Sequence, residues 1–227
     1  MNATYVESKK SINMVEVVPA IIPKSFEDLK EKVALVEPFV RRVQVDVMDG
    51  KFAPSTSWPY EKEEEPMLPN NKSIFYEIDM MMYAPEEVIH DWIHAGARSL
   101  IVHIESTNVL DRILFELSGK DIEIGVALSP NTPNEALGSW VDKVSFVQCM
   151  GNQKIGHHGV PLDVHVLKKV ASLREQYPEL IIGVDIGVNL ETAPKLVAAG
   201  ANKLISGSTI FKSDNIGKTI AQLKSLI

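Results

Sequence analysis

The chain has 227 residues, 45% of them hydrophobic and 23% charged, and a formal net charge of −7 at pH 7. That acidic balance opposes attraction to phosphate backbones and no Lys/Arg cluster offsets it, so no nucleic-acid partner is expected. No apolar run approaches the roughly 20 residues a membrane span needs, and the opening MNATYVESKKSINMVEVV lacks the basic flank and apolar core of a secretory leader, so no membrane is expected and a cytoplasmic location is read.

Residues 1–13 are polar and aperiodic and predict a poorly ordered extension. Residues 14–227 are expected to form one domain, since α/β barrels run to about 200 to 250 residues as a unit. The apolar run Val15 to Ile22 predicts a first strand. SFEDLKEKVALVEPFV follows, opening on a Ser25 cap with an acidic first turn, and predicts a helix. A second strand is predicted over Arg42 to Asp46. In residues 51–72, Pro54, Pro59, Pro66, Pro69 and the Asn70-Asn71 turn leave little room for a helix. This reads as a long loop on the strand's C-terminal side, with Glu63 to Glu65 a solvated face. Six further strands are predicted at Ser73 to Met80, Ser99 to His103, Ile122 to Leu128, Lys143 to Met150, Leu180 to Asp185 and Lys203 to Ser206. Helical patterns begin between them at Ala84, Asn108, Pro133, Asp163 and Asn189, and a last one runs from Asn215 to Leu226. The near-repeats HAGARSLIVHIE and AAGANKLISGS each read as helix end, Gly cap and strand. Eight such units fit a single closed (β/α)₈ TIM barrel, although a doubly wound open sheet gives a similar alternation. The single cysteine, Cys149, lies in VSFVQCMG, a strand pattern that predicts an inert buried thiol.

On a barrel the last residues of each strand point into the mouth, where active sites sit. The ionisable residues there are Asp46, Asp79, His103 and Asp185. An acid at the end of an apolar strand is costly unless it meets a cation or a donor, and any one alone reads equally as a loop cap. Asp46 and Asp185 together suggest more, because they would reach a ligand from opposite sides of one barrel.

Ordered motifs then carry a resemblance. VDVMDGKFAPS (Val45 to Ser55) with Pro19-Ala20-Ile21-Ile22, followed by EIDMMMYAPEEVIHDWIHAGARSLIVHIE, VALSPNTPNEAL and VDIGVNLETAPKLVAAGANKLISGSTIF, is similar to the strand signatures of the ribulose-phosphate 3-epimerase family from about Val15 onward. The resemblance implies a ribulose-phosphate-binding type of barrel. It also implies an isomerase of pentose phosphate (carbohydrate) metabolism that inverts C3 of a phosphorylated ketose, by default D-ribulose 5-phosphate and D-xylulose 5-phosphate. Asp46 and Asp185 match the family's two catalytic aspartates, which exchange a proton through an enediolate. Met48, Met81 and Met150 match methionines packed around the intermediate, with core packing as the plain alternative. Gly156, Gly159, Gly187, Gly207 and Ser208 match the phosphate grip; His157 and His158 stand in the same loop, either as added donors or as exposed loop residues. A homo-oligomer is also implied.

The metal shell departs from the pattern. Where the family places two histidines, this chain has Gln44 and Asp79, and Ala20 replaces a substrate-facing serine. Loss of both imidazoles argues against zinc or iron, whereas an oxygen set of Gln44, Asp46, Asp79 and Asp185 suits magnesium or manganese. Without a cation, clustered carboxylates push one or more to the neutral form, so either a hard metal binds or Asp79 is protonated and no metal is used. The competing expectation is a catalytically degenerate phosphosugar-binding barrel with a lost metal site. A decarboxylase or aldolase of related type would need a lysine beside these aspartates, and no strand end supplies one.

Overall fold

Eight parallel strands pair in chain order in the computed structural model, which describes residues 15–226. They are β1 (Glu16–Ile21), β2 (Arg42–Met48), β3 (Phe75–Met81), β4 (Ser99–His103), β5 (Glu123–Leu128), β6 (Phe146–Met150), β7 (Ile182–Asp185) and β8 (Lys203–Ser206). Because β1 pairs with both β2 and β8, the sheet closes and the open-sheet alternative falls away. The extension expected over residues 1–13 lies outside the described residues.

Period-2 alternation sorts each strand into two sets of side chains. Val43, Val45 and Val47 of β2 face outward into the large layer between sheet and helices, as do Ile78 and Met80 of β3. Met48, Met81, Ile101, Ala127, Phe146 and Met150 form a separate apolar cluster inside the barrel. The outer helices close the first layer. In α1 (Phe26–Val36), Leu29, Val33 and Val36 recur at helical spacing and are buried, each such burial contributing about 1.5–3 kcal/mol. The predicted cap holds: the Asp28 amide donates to Ser25 Oγ at 3.1 Å. The other α-helices are α2 (Ile89–Ala95), α3 (Leu110–Leu117), α4 (His165–Gln176), α5 (Ala193–Ala198), α6 (Ser208–Phe211) and α7 (Ile216–Ser225).

Several connections differ from a simple strand–helix alternation. After β2, residues 51–72 form turns without a helix, as their prolines predict. The segment is pinned by Trp58, which is fully buried and whose amide donates to Pro23 O at 3.1 Å. After β5 the expected helix is a 3₁₀ stretch, Asn134–Lys143, interrupted at Gly138 with φ 46 and ψ −128, a conformation no helix accommodates. The helix expected from Ala84 likewise begins as a 3₁₀ turn, Pro85–Glu87, because Ala84 is left-handed at φ 49. Cys149 is buried as predicted, and burial pushes its thiol up to about 12.

Candidate active site

The closed register sets three carboxylates side by side at one end of the barrel. Asp46 on β2 and Asp79 on β3 are direct Cα partners, and Asp185 ends β7 opposite Met150. Carboxylate oxygens of Asp46, Asp79 and Asp185 lie within 4.8 Å of one another. Asp79 and Gln44 are fully buried, while Asp46 and Asp185 keep a few per cent of exposure and line a cavity.

Neutral donors hold this cluster. Gln44, two residues before Asp46 and so on the same face of β2, places Nε2 at 2.8 Å from Asp46 Oδ1, 3.2 Å from Asp185 Oδ2 and 3.5 Å from Asp79 Oδ2. Three carboxyl groups surround that end of the carboxamide, and an ionised one can only accept, so the donor end is the one that satisfies it. Asp79 is further held by His103 Nε2 on Oδ1 at 2.9 Å and by Gln148 Nε2 on Oδ2 at 3.0 Å. His103 was singled out in the sequence without a role. Gln148 was missed, although it shares the inward parity of Phe146 and Met150 on β6.

Backbone geometry adds one more donor. Ile186 sits at φ 73, a left-handed conformation costing about 1–3 kcal/mol for a β-branched residue, and from there its amide donates to Asp185 Oδ1 at 2.7 Å.

Burial and mutual repulsion set the protonation. Asp46 is raised well above the ordinary carboxylate range, first by burial and then by the charges of Asp185 and Asp79, against which the Gln44 hydrogen bond works. Asp185 is pushed up to about 7 by burial and by Asp79, with the Ile186 amide and Gln44 opposing. Burial lowers the His103 imidazole, but the attraction of Asp79 outweighs it and the net shift is upward. Both carboxyls are thus shifted toward the protonated form, the direction in which a closely placed pair comes to share a proton.

Above them opens a cavity of about 280 Å³. Met81 and Met150 line it, and so do Gly156, Gly159, Gly187, Gly207 and Ser208. Met48 does not: it is buried beneath the loop after β6, where a Cβ on Gly156 would meet its sulfur at 2.5 Å. Gly187 must be glycine twice over, since its φ is +78 and a Cβ would stand 2.4 Å from the Leu162 nitrogen. Ser206 Oγ and Thr209 Oγ1 both donate to Val188 O at 3.0 Å, tying the turns after β7 and β8 into one wall. His157 and His158 line the same cavity from its exposed rim. Partial burial and the neighbouring Lys32, Lys212 and Lys24 push the His158 imidazole down. No lysine lines the cavity among the described residues, so the lysine a decarboxylase or aldolase would need is not supplied.

A divalent ion is implied by the family resemblance, and the three carboxylates could hold one. The fourth position does not fit: Gln44 turns a nitrogen, not an oxygen, toward them, and an N–H offers a cation no lone pair.

Residues 16–211 match the model of the ribulose-phosphate 3 epimerase family. The chain is 30% identical over 219 residues to the ribulose-phosphate 3-epimerase of Bacillus subtilis, covering 93% of this chain and 99% of that protein. It is 32% identical over 217 residues to the chloroplastic ribulose-5-phosphate-3-epimerase of Arabidopsis thaliana, covering 92% and 76%. Among solved structures, the 3-hexulose-6-phosphate synthase of Salmonella typhimurium superposes with a TM-score of 0.65 at 12% identity, over 93% of this chain and 97% of that one, a likeness of fold. The chain belongs to the ribulose-phosphate 3-epimerase family and is an isomerase of that kind.

Proposed function

We propose that this member of the ribulose-phosphate 3-epimerase family inverts C3 of a phosphorylated ketose, by default interconverting D-ribulose 5-phosphate and D-xylulose 5-phosphate. The observation that carries the proposal is the pairing of Asp46 and Asp185 in one cavity with both carboxyls raised, so that a base and an acid stand together near neutral pH. The ionised member removes the proton at C3, which the adjacent C2 carbonyl acidifies. The planar enediolate then takes a proton from the neutral member on its other face, and the two exchange roles in the reverse direction. Gln44 fixes the bearing of both carboxyls, and the Ile186 amide fixes that of Asp185.

Met81 and Met150 would pack against the intermediate. The phosphate would lie along the turns of Gly156, Gly159, Gly187, Gly207 and Ser208, with His158 as an added donor. Magnesium or manganese is the ion that Asp46, Asp79 and Asp185 would suit on chemical grounds, but with Gln44 turning its N–H groups toward them no step is routed through such an ion. It would first have to displace the Gln44 donor, and the proton transfer itself runs through the two carboxyls alone. A cytoplasmic setting and a homo-oligomer belong to the same proposal. Among the described residues no helix is long and apolar enough to cross a membrane.

Solvent deuterium exchange at C3 of D-ribulose 5-phosphate, with purified protein, tests the reading. Exchange at a rate dependent on both aspartates is the expected result. Binding of the sugar phosphate without exchange would instead establish the degenerate binder, which the changes at Ala20, Gln44 and Asp79 favour.

A further inference from the structure

We propose that Gln44 stands in for a divalent cation, so that the carboxylate cluster is held and kept in working geometry by an amide donor with no bound metal. The inference rests on the proposed function only for its catalytic consequence; the metal measurements below stand apart from it.

Carboxylate oxygens crowded within 4.8 Å need a compensating partner. The Gln44 carboxamide supplies one at the centre of the cluster. Its two N–H bonds match its two shorter contacts, 2.8 Å to Asp46 and 3.2 Å to Asp185, and its third, 3.5 Å to Asp79, is weaker. The lone pairs that would turn to an ion are therefore already directed at hydrogen. Asp79 is spent as well, with one oxygen on His103 and the other on Gln148.

A second observation points the same way. Gln44 Oε1 and Gln148 Oε1 are both buried without a hydrogen-bond partner, a costly arrangement. Turning the Gln148 amide over would set its oxygen against the Asp79 carboxylate, and turning that of Gln44 would set its oxygen against at least one ionised carboxylate. The orphaned carbonyls are the consequence of keeping both NH₂ groups on the acids. Admitting an octahedral ion would require the Gln44 amide to reverse and all three of its contacts to break.

Gln44 is a positioning residue on this reading, and replacing its amide with a fourth carboxylate should turn the cluster into a cage that needs a cation. The experiment titrates the full chain, dialysed against chelator, with manganese, magnesium and zinc, followed by calorimetry and thermal melting, for the wild type and Gln44→Glu. The wild type should take up no stoichiometric ion, and its melting temperature should move by less than about 1 °C. Gln44→Glu should melt lower than wild type without metal, bind about one manganese per chain, and recover about 3 °C or more on its addition. A merely structural glutamine would not create that response.

Uptake of one ion per wild-type chain with a clear rise in melting temperature would overturn the inference. So would a folded Gln44→Glu indifferent to manganese. If Gln44→Glu does not fold, the wild-type titration decides alone. C3 exchange by chelator-treated wild type should be undiminished, and loss of exchange that added metal restores would also refute the idea. Absence of exchange under every condition would sink the epimerase proposal, and the titrations would still decide the role of Gln44.

Discussion

Both ends of the barrel bury carboxylates, and they compensate them in opposite ways. At the N-terminal end Glu77 is fully buried and receives Lys203 Nζ at 2.6 and 2.5 Å, Arg42 Nη1 at 3.1 Å and Ser99 Oγ at 3.0 Å. Arg42 also reaches Glu123 at 2.9 Å and lies over the Phe75 ring, and Lys203 lies over that of Phe146. Basic side chains surround the acid there. At the C-terminal end three aspartates share two amides, a peptide N–H and one imidazole, so charge is undercompensated and protons make up the difference. The first arrangement fixes a protonation state and the second leaves one free to change. Buried charge serves structure where it is matched by permanent cations and chemistry where it is matched by groups that exchange protons.

The largest consequence should appear at the undercompensated end. Asp46→Asn and Asp185→Asn should each cut C3 exchange by about 10² to 10⁴, the usual worth of a proton-transfer group. Neither should lower the melting temperature at pH 8, since each removes a charge from a repelling cluster. Exchange within tenfold of wild type in either variant would refute the two-carboxylate assignment; a large fall in stability would show that the cluster is structural, as at the opposite end.

Glu77→Gln should reverse that pattern. It strands Lys203 in a buried site and leaves Arg42 to Glu16 and Glu123, and breaking such a buried pair costs about 3–5 kcal/mol. Chemical denaturation should show the loss, while exchange per folded molecule, measured below the transition, stays near wild type. An intermediate effect is expected at the cavity wall. In Gly207→Asp the new Cβ would stand 3.0 Å from Ala20 O and carry a negative charge into the proposed phosphate turns. KM for D-ribulose 5-phosphate should rise on the order of tenfold or more, with a smaller change in kcat. An unchanged KM would move the phosphate elsewhere.

The fold was legible in the sequence because its signal is periodic. All eight strands appear where the apolar runs placed them, and the proline-rich stretch after β2 is the loop it reads as. Errors gathered at edges: the strand expected from Lys143 begins at Phe146 because Lys143 still belongs to the preceding 3₁₀ turn. The site was legible in part. Asp46, Asp79, Asp185 and Gln44 do converge, but which end of the Gln44 amide faces the acids depends on three strands at once and has no counterpart in local sequence. Met48 shares the parity of Asp46, yet the loop carrying Gly156 covers it, a contact no spacing rule contains. Nor did alternation flag the Glu77, Arg42 and Lys203 network, since each residue stands alone on its strand until the barrel closes.

The smallest effect, and the one that separates the two ends most finely, is in the pH dependence of stability. Asp185 has a folded-state pKa of about 7 against an ordinary value of 3.8, so between those limits the native chain holds a proton that the unfolded chain has released. Stability from this group is therefore fully present below about 3.8 and is lost as the pH rises through about 7, with a slope of at most about 1.4 kcal/mol per pH unit for one proton. Asp46 and His103, both raised, contribute with the same sign. Denaturation of wild type and Asp185→Asn at intervals from pH 5 to 8 should show the variant gaining on the wild type as the pH rises and the difference levelling above about 7. The same pH series with Glu77→Gln should show a loss at every pH, because Lys203 and Arg42 lose the carboxylate they share. If the Asp185→Asn difference were flat, the aspartate would not carry a raised pKa, and the shared proton on which the acid and base assignment depends would be absent.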